Sequence, residues 1–291
     1  MKLSYCLLMM LPVLSACESN SQNKNSVKTE LPSSINSNFN SSWSSNKFWD
    51  DGKAEVANYK AERIIYKKLR SFSYSMITVS EVFNKEFLTK TDDYNRKDNF
   101  NVMKVNFFAR IETDKYPYHF LTSIFTDRNN AANLVKFTNS SQEWCGNTFK
   151  EIRKNEKGFQ LNYNSYWDTE GSGTKNLDGN ILLEDQLIFS LRALSFKPGL
   201  VVNSKILETQ ISSKVGKLIV YNAEMIVSEG GKVLIENKTY DSWKVIVKLE
   251  KDKSNEYYFT KEYPNYLIKS QSWDGRTLTL NSITRDDYWN F

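Results

Sequence analysis

The chain has 291 residues, a formal net charge of +5, 14% aromatic residues, three cysteines and a single histidine. So mild a charge argues against a nucleic-acid partner, which calls for a basic face. One histidine rules out a His-rich metal site, and no metal or cofactor is expected.

Met1–Ala16 reads as an export leader: Lys2 is the positive start, and Leu3–Leu14 is apolar apart from Ser4, Tyr5 and Pro12. The apolar stretch is about a dozen residues, short of the roughly 20 that cross a bilayer as a helix. Leu14-Ser15-Ala16-Cys17 forms a lipobox, so the expected mature chain begins at Cys17, with diacylglycerol on its thiol and an acyl chain such as palmitate. Cys6 leaves with the leader, Cys17 is blocked, and Cys145 has no intramolecular disulfide partner. Loss of Lys2 takes the net charge from +5 to about +4. Glu18, where Asp would favour inner-membrane retention, points to the outer membrane of a Gram-negative envelope.

Residues 17–46 are rich in Ser and Asn and are expected to form a lipidated tether, reaching about 30 Å on average. Residues 47–291 read as a single β-rich domain. Period-2 alternation predicts strands over 56–67, 71–83, 102–111, 116–125, 159–167, 217–227, 233–240, 242–249, 257–260, 266–273 and 277–284. Trp243, Val245, Val247 and Leu249 share one face of the clearest of these. Glu229-Gly230-Gly231-Lys232 and Asp274-Gly275 are expected as hairpin turns. Leu187, Leu191 and Leu194 recur at helical spacing within 183–194, after Glu184 and Asp185 and before Pro198-Gly199. The expected fold is mainly β: one antiparallel curved sheet or open β-barrel with a covering helix.

Motifs for chemistry are sparse. Gly171-Ser172-Gly173 lacks the glycine spacing of a phosphate loop, and Asp92-Asp93 and Asp286-Asp287 sit in turn-like surroundings. His119 lies among aromatics in Tyr116-Pro117-Tyr118-His119-Phe120, as a structural histidine or as the base for a Cys145 nucleophile. Ser140-Ser141-Gln142-Glu143-Trp144-Cys145-Gly146 is the most distinctive segment. As a strand it would set Glu143 and Cys145 on one face and Gln142 and Trp144 on the other. It reads either as a functional groove or as a bulge whose polar atoms bond backbone. His119, Gln142, Glu143, Trp144 and Cys145 are the candidate site. The ending Tyr288-Trp289-Asn290-Phe291 is aromatic, like that of outer-membrane barrels, but Asp287 and Arg285 interrupt the face that would meet lipid.

Glu55, Tyr59, Arg63 and Tyr66, then Tyr116-Pro117-Tyr118 and Ser141–Gly146, resemble an uncharacterised family of envelope lipoproteins. Its members sometimes carry the label septum formation inhibitor Maf. Maf proteins are α/β nucleotide pyrophosphatases, and neither their N-terminal motif nor strand–helix alternation is present here. The layout of Tyr257–Thr260, Tyr263–Ile268 and Asp274-Gly275-Arg276 is similar to the lipoprotein-carrier (Lol) half-barrels, which hold acyl chains under a helix. Together these readings imply a lipid-anchored binding module for a lipid, acyl chain or hydrophobic peptide. The alternatives are an assembly lipoprotein acting through contacts with other envelope proteins and, behind both, a Cys/His hydrolase; the balance is against an enzyme.

Overall fold

In the computed structural model residues 37–290 are described. The expected leader, Cys17 and residues 18–36 of the expected tether lie outside them, as does Phe291. The first half of the domain forms β1 (Ala54–Ile65), β2 (Lys68–Asn84), β3 (Thr89–Lys90), β4 (Asn99–Ile111), β5 (Tyr118–Asp127), β6 (Asn130–Glu143), β7 (Gly146–Asn155), β8 (Gly158–Asn164) and β9 (Ser172–Asp178). The second half forms β10 (Ile181–Leu183), β11 (Val201–Leu207), β12 (Val220–Ile235), β13 (Lys238–Glu250), β14 (Lys253–Thr260), β15 (Leu267–Gln271) and β16 (Thr277–Asp286). All belong to one sheet. It runs β10 to β16 in chain order, continues through β1, β2 and β4, and ends at β9, with β3 beside β2. Neighbours are antiparallel except β10 and β11. No ladder among the described residues joins β9 to β10 or β11, so the curved sheet is open.

The alternation seen in the sequence fills the concave face. Val245, Val247 and Leu249 are buried as expected, in one continuous core with Met103, Val105 and Phe107 of β4. The Asp274-Gly275 turn joins β15 to β16, with Gly275 at φ 84°. Gly230-Gly231 is not a turn. β12 runs straight through it, and the ladder with β13 slips there by one residue, a β-bulge. A Cβ on Gly230 would lie 3.0 Å from the backbone of both Ser242 and Trp243 and 2.3 Å from Ser242 Oγ, so the bulge favours glycine. The real turn is at Glu236-Asn237, inside the segment expected as a strand over 233–240.

The expected covering helix is shorter and deeper than its spacing implied. Only α2 (Leu187–Ser190) is α-helical, between 3-10 turns at Glu184–Gln186 and Leu191–Ala193. Leu187, Leu191 and Leu194 are buried, but so are Glu184, Asp185 and Arg192 on the other faces. A segment buried all round is a plug inside the sheet, not a lid upon it. A helix preceding it in the chain, α1 (Ser41–Ser44), and a 3-10 turn at Lys47–Trp49 pack Phe39, Trp43 and Trp49 into the same core. Phe39 and Trp43, within the segment expected as a tether up to residue 46, therefore belong to the folded core.

Candidate functional site

Strand direction sorts the loops onto two ends. At one end Phe39 bridges Leu194. At the other end, the mouth, lie the β1–β2, β4–β5, β6–β7, β8–β9, β11–β12, β13–β14 and β15–β16 connections.

The segment 140–146 is a strand end and a turn. Glu143 closes β6, Trp144 and Cys145 form the turn, and Gly146 opens β7 opposite Glu143. Trp144 is 78% exposed and stacks on Tyr116, with centroids 6.1 Å apart. Tyr116 continues to Tyr118 and Tyr118 to Phe120, at 5.7 and 6.1 Å, so an aromatic ladder descends from the rim to the interior. Tyr66, in the β1–β2 turn, hydrogen-bonds Tyr116 at 3.0 Å and also Tyr118. Its bond to Tyr116 is the main influence raising the latter's pKa to about 12. Burial, then Tyr66, Tyr116 and Glu143, keep the Tyr118 phenol protonated far above its usual range.

Glu143, Trp144 and Cys145 thus share the rim. His119 and Gln142 pair across β5 and β6 on the exposed outer face, with Tyr118 and Phe120 pointing inward. The Cys145 thiol faces Tyr116 Oη at 3.9 Å, and the structure does not assemble a Cys145–His119 dyad.

Beneath the ladder is a pocket of about 80 Å³. Phe72, Tyr74, Ile111, Phe120, Ile188 and Leu278 form its apolar wall, and Arg63, Glu62, Glu184, Asp185 and Arg276 its polar side. Arg276 is committed to Glu184 at 2.5 Å and Asp274 at 2.7 Å. Asp185 accepts from the Gln210 amide at 2.7 Å and the Thr209 hydroxyl at 2.5 Å. Arg63 pairs with no carboxylate among the described residues. It lies over Phe120 at 5.4 Å and donates to the Ile211 carbonyl at 2.8 Å. Burial lowers its pKa to about 10, and the Arg276 charge adds to this against Asp274 and Asp185.

Residues 208–219, between β11 and β12, cross the mouth without joining the ladder. Side chains grip this strap by its backbone. Arg63 holds the Ile211 carbonyl, Asn139 that of Ser212 at 3.3 Å, and Trp167 that of Ser213 at 3.0 Å. Lys150 holds the Lys214 carbonyl at 2.8 Å, and Lys175 that of Gly216 at 2.9 Å. Glu170 accepts from the Val215 and Gly216 amides, at 3.0 Å each. Lys150 is fully buried, and desolvation lowers its pKa to about 8 despite Asp185 and Glu170 nearby.

Arg63 stands out in the sequence only through a resemblance, and Lys150, Asn139 and Trp167 not at all. Inward-pointing polar residues on β6 and β7 were the available signal, because they break an apolar stripe. Among the described residues no group of three His, Cys, Asp or Glu side chains is arranged as a metal site.

Fold and site together define an open, curved and mainly antiparallel sheet wrapped round a buried helical plug, with a strapped pocket at one end. No family model matches the chain, and no curated protein matches it. Among solved structures it is similar to a β-barrel-like protein of a domain of unknown function, DUF1849, from Brucella abortus. That pair has 10% identity and a TM-score of 0.46, over 81% of this chain and 98% of the other.

Proposed function

We propose that the protein is a lipid-anchored envelope module that binds a hydrophobic peptide segment at the mouth. The pocket under the aromatic ladder carries the reading: about 80 Å³ admits one side chain, against the roughly 300–1,000 Å³ of sites that enclose a whole small molecule. The interior that would hold an acyl chain in a carrier half-barrel is occupied by α2 and its flanking turns. Of the expected ligands, lipid, acyl chain or hydrophobic peptide, the last fits the remaining space. Exposed Tyr and Trp offer broad contact area at small entropic cost, and Arg63 supplies donors for a peptide carbonyl.

A photo-crosslinking residue placed at Trp144 in the intact envelope is expected to give polypeptide adducts. The same residue at Leu234, exposed near the opposite end, is expected to give none. Arg63→Met should reduce the Trp144 adducts several-fold. Equal adducts from both positions, or a stoichiometric non-covalent lipid extracted from the purified protein, would overturn the reading.

The anchor is proposed at Cys17, with outer-membrane attachment suggested by Glu18 and kinship to the envelope lipoprotein group resting on Glu55, Tyr59, Arg63 and Tyr66, Tyr116-Pro117-Tyr118 and Ser141–Gly146. Cys17→Ser should move the protein from the membrane to the soluble periplasmic fraction. Retention in the membrane fraction, with no acyl group found on the wild-type chain, would remove this part of the proposal.

A further inference from the structure

We infer that the strap Thr209–Gly216 is a resident stand-in for the peptide ligand, and that its sequence states the ligand's pattern: aliphatic, small, small, basic, aliphatic. This rests on the peptide-binding reading above and gives it a ligand class. Ile211 reaches into the pocket wall, Ser212 and Ser213 leave room for side chains that grip their carbonyls, Lys214 lies over Trp167 at 4.7 Å, and Val215 is buried. Ile211, Ser212, Ser213, Lys214 and Gly216 each present a carbonyl oxygen to a side-chain donor, as a peptide taking the same bends at 212–214 would, and Ser212 adds its hydroxyl to Lys150 at 3.2 Å. The connection 208–219 reaches the length, about 12–15 residues, above which loops without secondary structure become uncommon in a compact domain and are usually functional or linker segments. It also has no ladder to lose on leaving, since β11 ends at Leu207 and β12 begins at Val220.

A tethered segment competes at an effective concentration in the millimolar range. A free peptide of the same pattern should therefore bind weakly to the wild type and much more tightly once the strap is gone. The probe is the synthetic nonapeptide Thr-Gln-Ile-Ser-Ser-Lys-Val-Gly-Lys. It is titrated against the full-length chain and against a full-length variant with residues 209–216 exchanged for Gly-Ser repeats of equal length. The expected result is at least tenfold tighter binding to the exchanged variant, abolished when the peptide carries Ile211→Asp and weakened when it carries Lys214→Glu.

Thr209→Val provides a milder variant should the exchange prevent folding. It deletes the hydroxyl that bonds Asp185 and the Ile211 amide, outside the proposed pattern, and should tighten peptide binding about threefold by loosening the strap. A folded exchanged variant that does not bind the peptide, or equal affinity for wild type and both variants, overturns the inference. If Trp144 adducts persist with their Arg63 dependence while the peptide fails, the mouth still binds peptide and only the strap's role is lost. If both fail, the peptide reading fails with it.

Discussion

Arg192 is the largest side chain that the interior hides completely. Its guanidinium forms a two-pronged bond with Glu55 at 2.7 and 2.8 Å, donates to the Pro264 carbonyl at 3.1 Å, and lies about 5 Å from the Trp43 ring. Removing one partner strands a buried charge, so Arg192→Ala or Glu55→Ala should each cost about 3–5 kcal/mol in urea unfolding. Replacing both with apolar residues of similar volume, Arg192→Met with Glu55→Leu, should cost less than either single change. A double variant as unstable as the sum of the singles would contradict this account. Lys150 is the opposite case, a buried cation held only by the strap's oxygens. Its pKa falls from 10.5 unfolded to about 8 folded, so between those values the unfolded chain binds more protons. Stability from this group therefore rises with pH across that window. Buried Tyr59, Tyr74 and Tyr257 have raised pKa values, which reverses the trend once unfolded tyrosines ionise near pH 10. Between pH 8 and 10 the melting temperature of the wild type should gain on that of Lys150→Met, and a constant difference would count against the assignment.

The β1–β2 turn shows what an element gives up for a site. Tyr66 and Lys67 both sit at positive φ, 53° and 62°, as a two-residue primed turn requires. Asn-Gly is the pair that suits it, and left-handed non-glycine residues cost roughly 1–2 kcal/mol each. Tyr66 is kept there with its hydroxyl on Tyr116 and Tyr118, at the head of the ladder. Replacing Tyr66-Lys67 with Asn-Gly should raise stability by about 1–2 kcal/mol while reducing Trp144 adducts. A variant that gains stability and keeps its adducts would show the turn to be mere scaffold. The same conflict explains which elements were legible in the sequence. β13 alternates cleanly because Val245, Val247 and Leu249 meet only core. β6 and β7 lack that alternation because Asn139, Ser141, Thr148 and Lys150 point inward, and Asn139 and Lys150 serve the strap. The helical spacing of Leu187, Leu191 and Leu194 was real. The burial of Arg192 opposite them depends on Glu55, 137 residues away, a pairing that no local pattern reveals. Trp144 and Cys145 stood out by composition, yet only the ladder partners show them to be a turn.

At the scale of the whole molecule, the sheet is completed across its termini. β16 pairs with β1 from Ala54 opposite Asp286 to Glu62 opposite Thr277, and it also pairs with β15. It therefore covers two strand edges at once, deep in the strand order and not at its margin. Arg285 of β16 adds bonds to Asp51 and to the carbonyls of Phe48 and Lys53, fastening the N-terminal turn that carries Trp49. Without β16, β1 and β15 would present unpaired amides and carbonyls beside a half-exposed core, a ready template for association between chains. Apart from β1–β16, the ladders among the described residues join strands that follow one another in the chain, β3 being passed over, so this ladder is the one that ties the first run of strands to the second. A chain ending at Arg276 should accumulate as aggregate and show no cooperative urea transition. A chain ending at Asp287 loses only Tyr288-Trp289-Asn290-Phe291, and the Tyr288 and Trp289 rings are about 40% exposed. It should remain soluble and unfold within about 1 kcal/mol of the full chain. If the shorter chain is also soluble and cooperative, β16 is an addition to a self-sufficient sheet, and the closure of the fold must be sought between β2 and β9 instead.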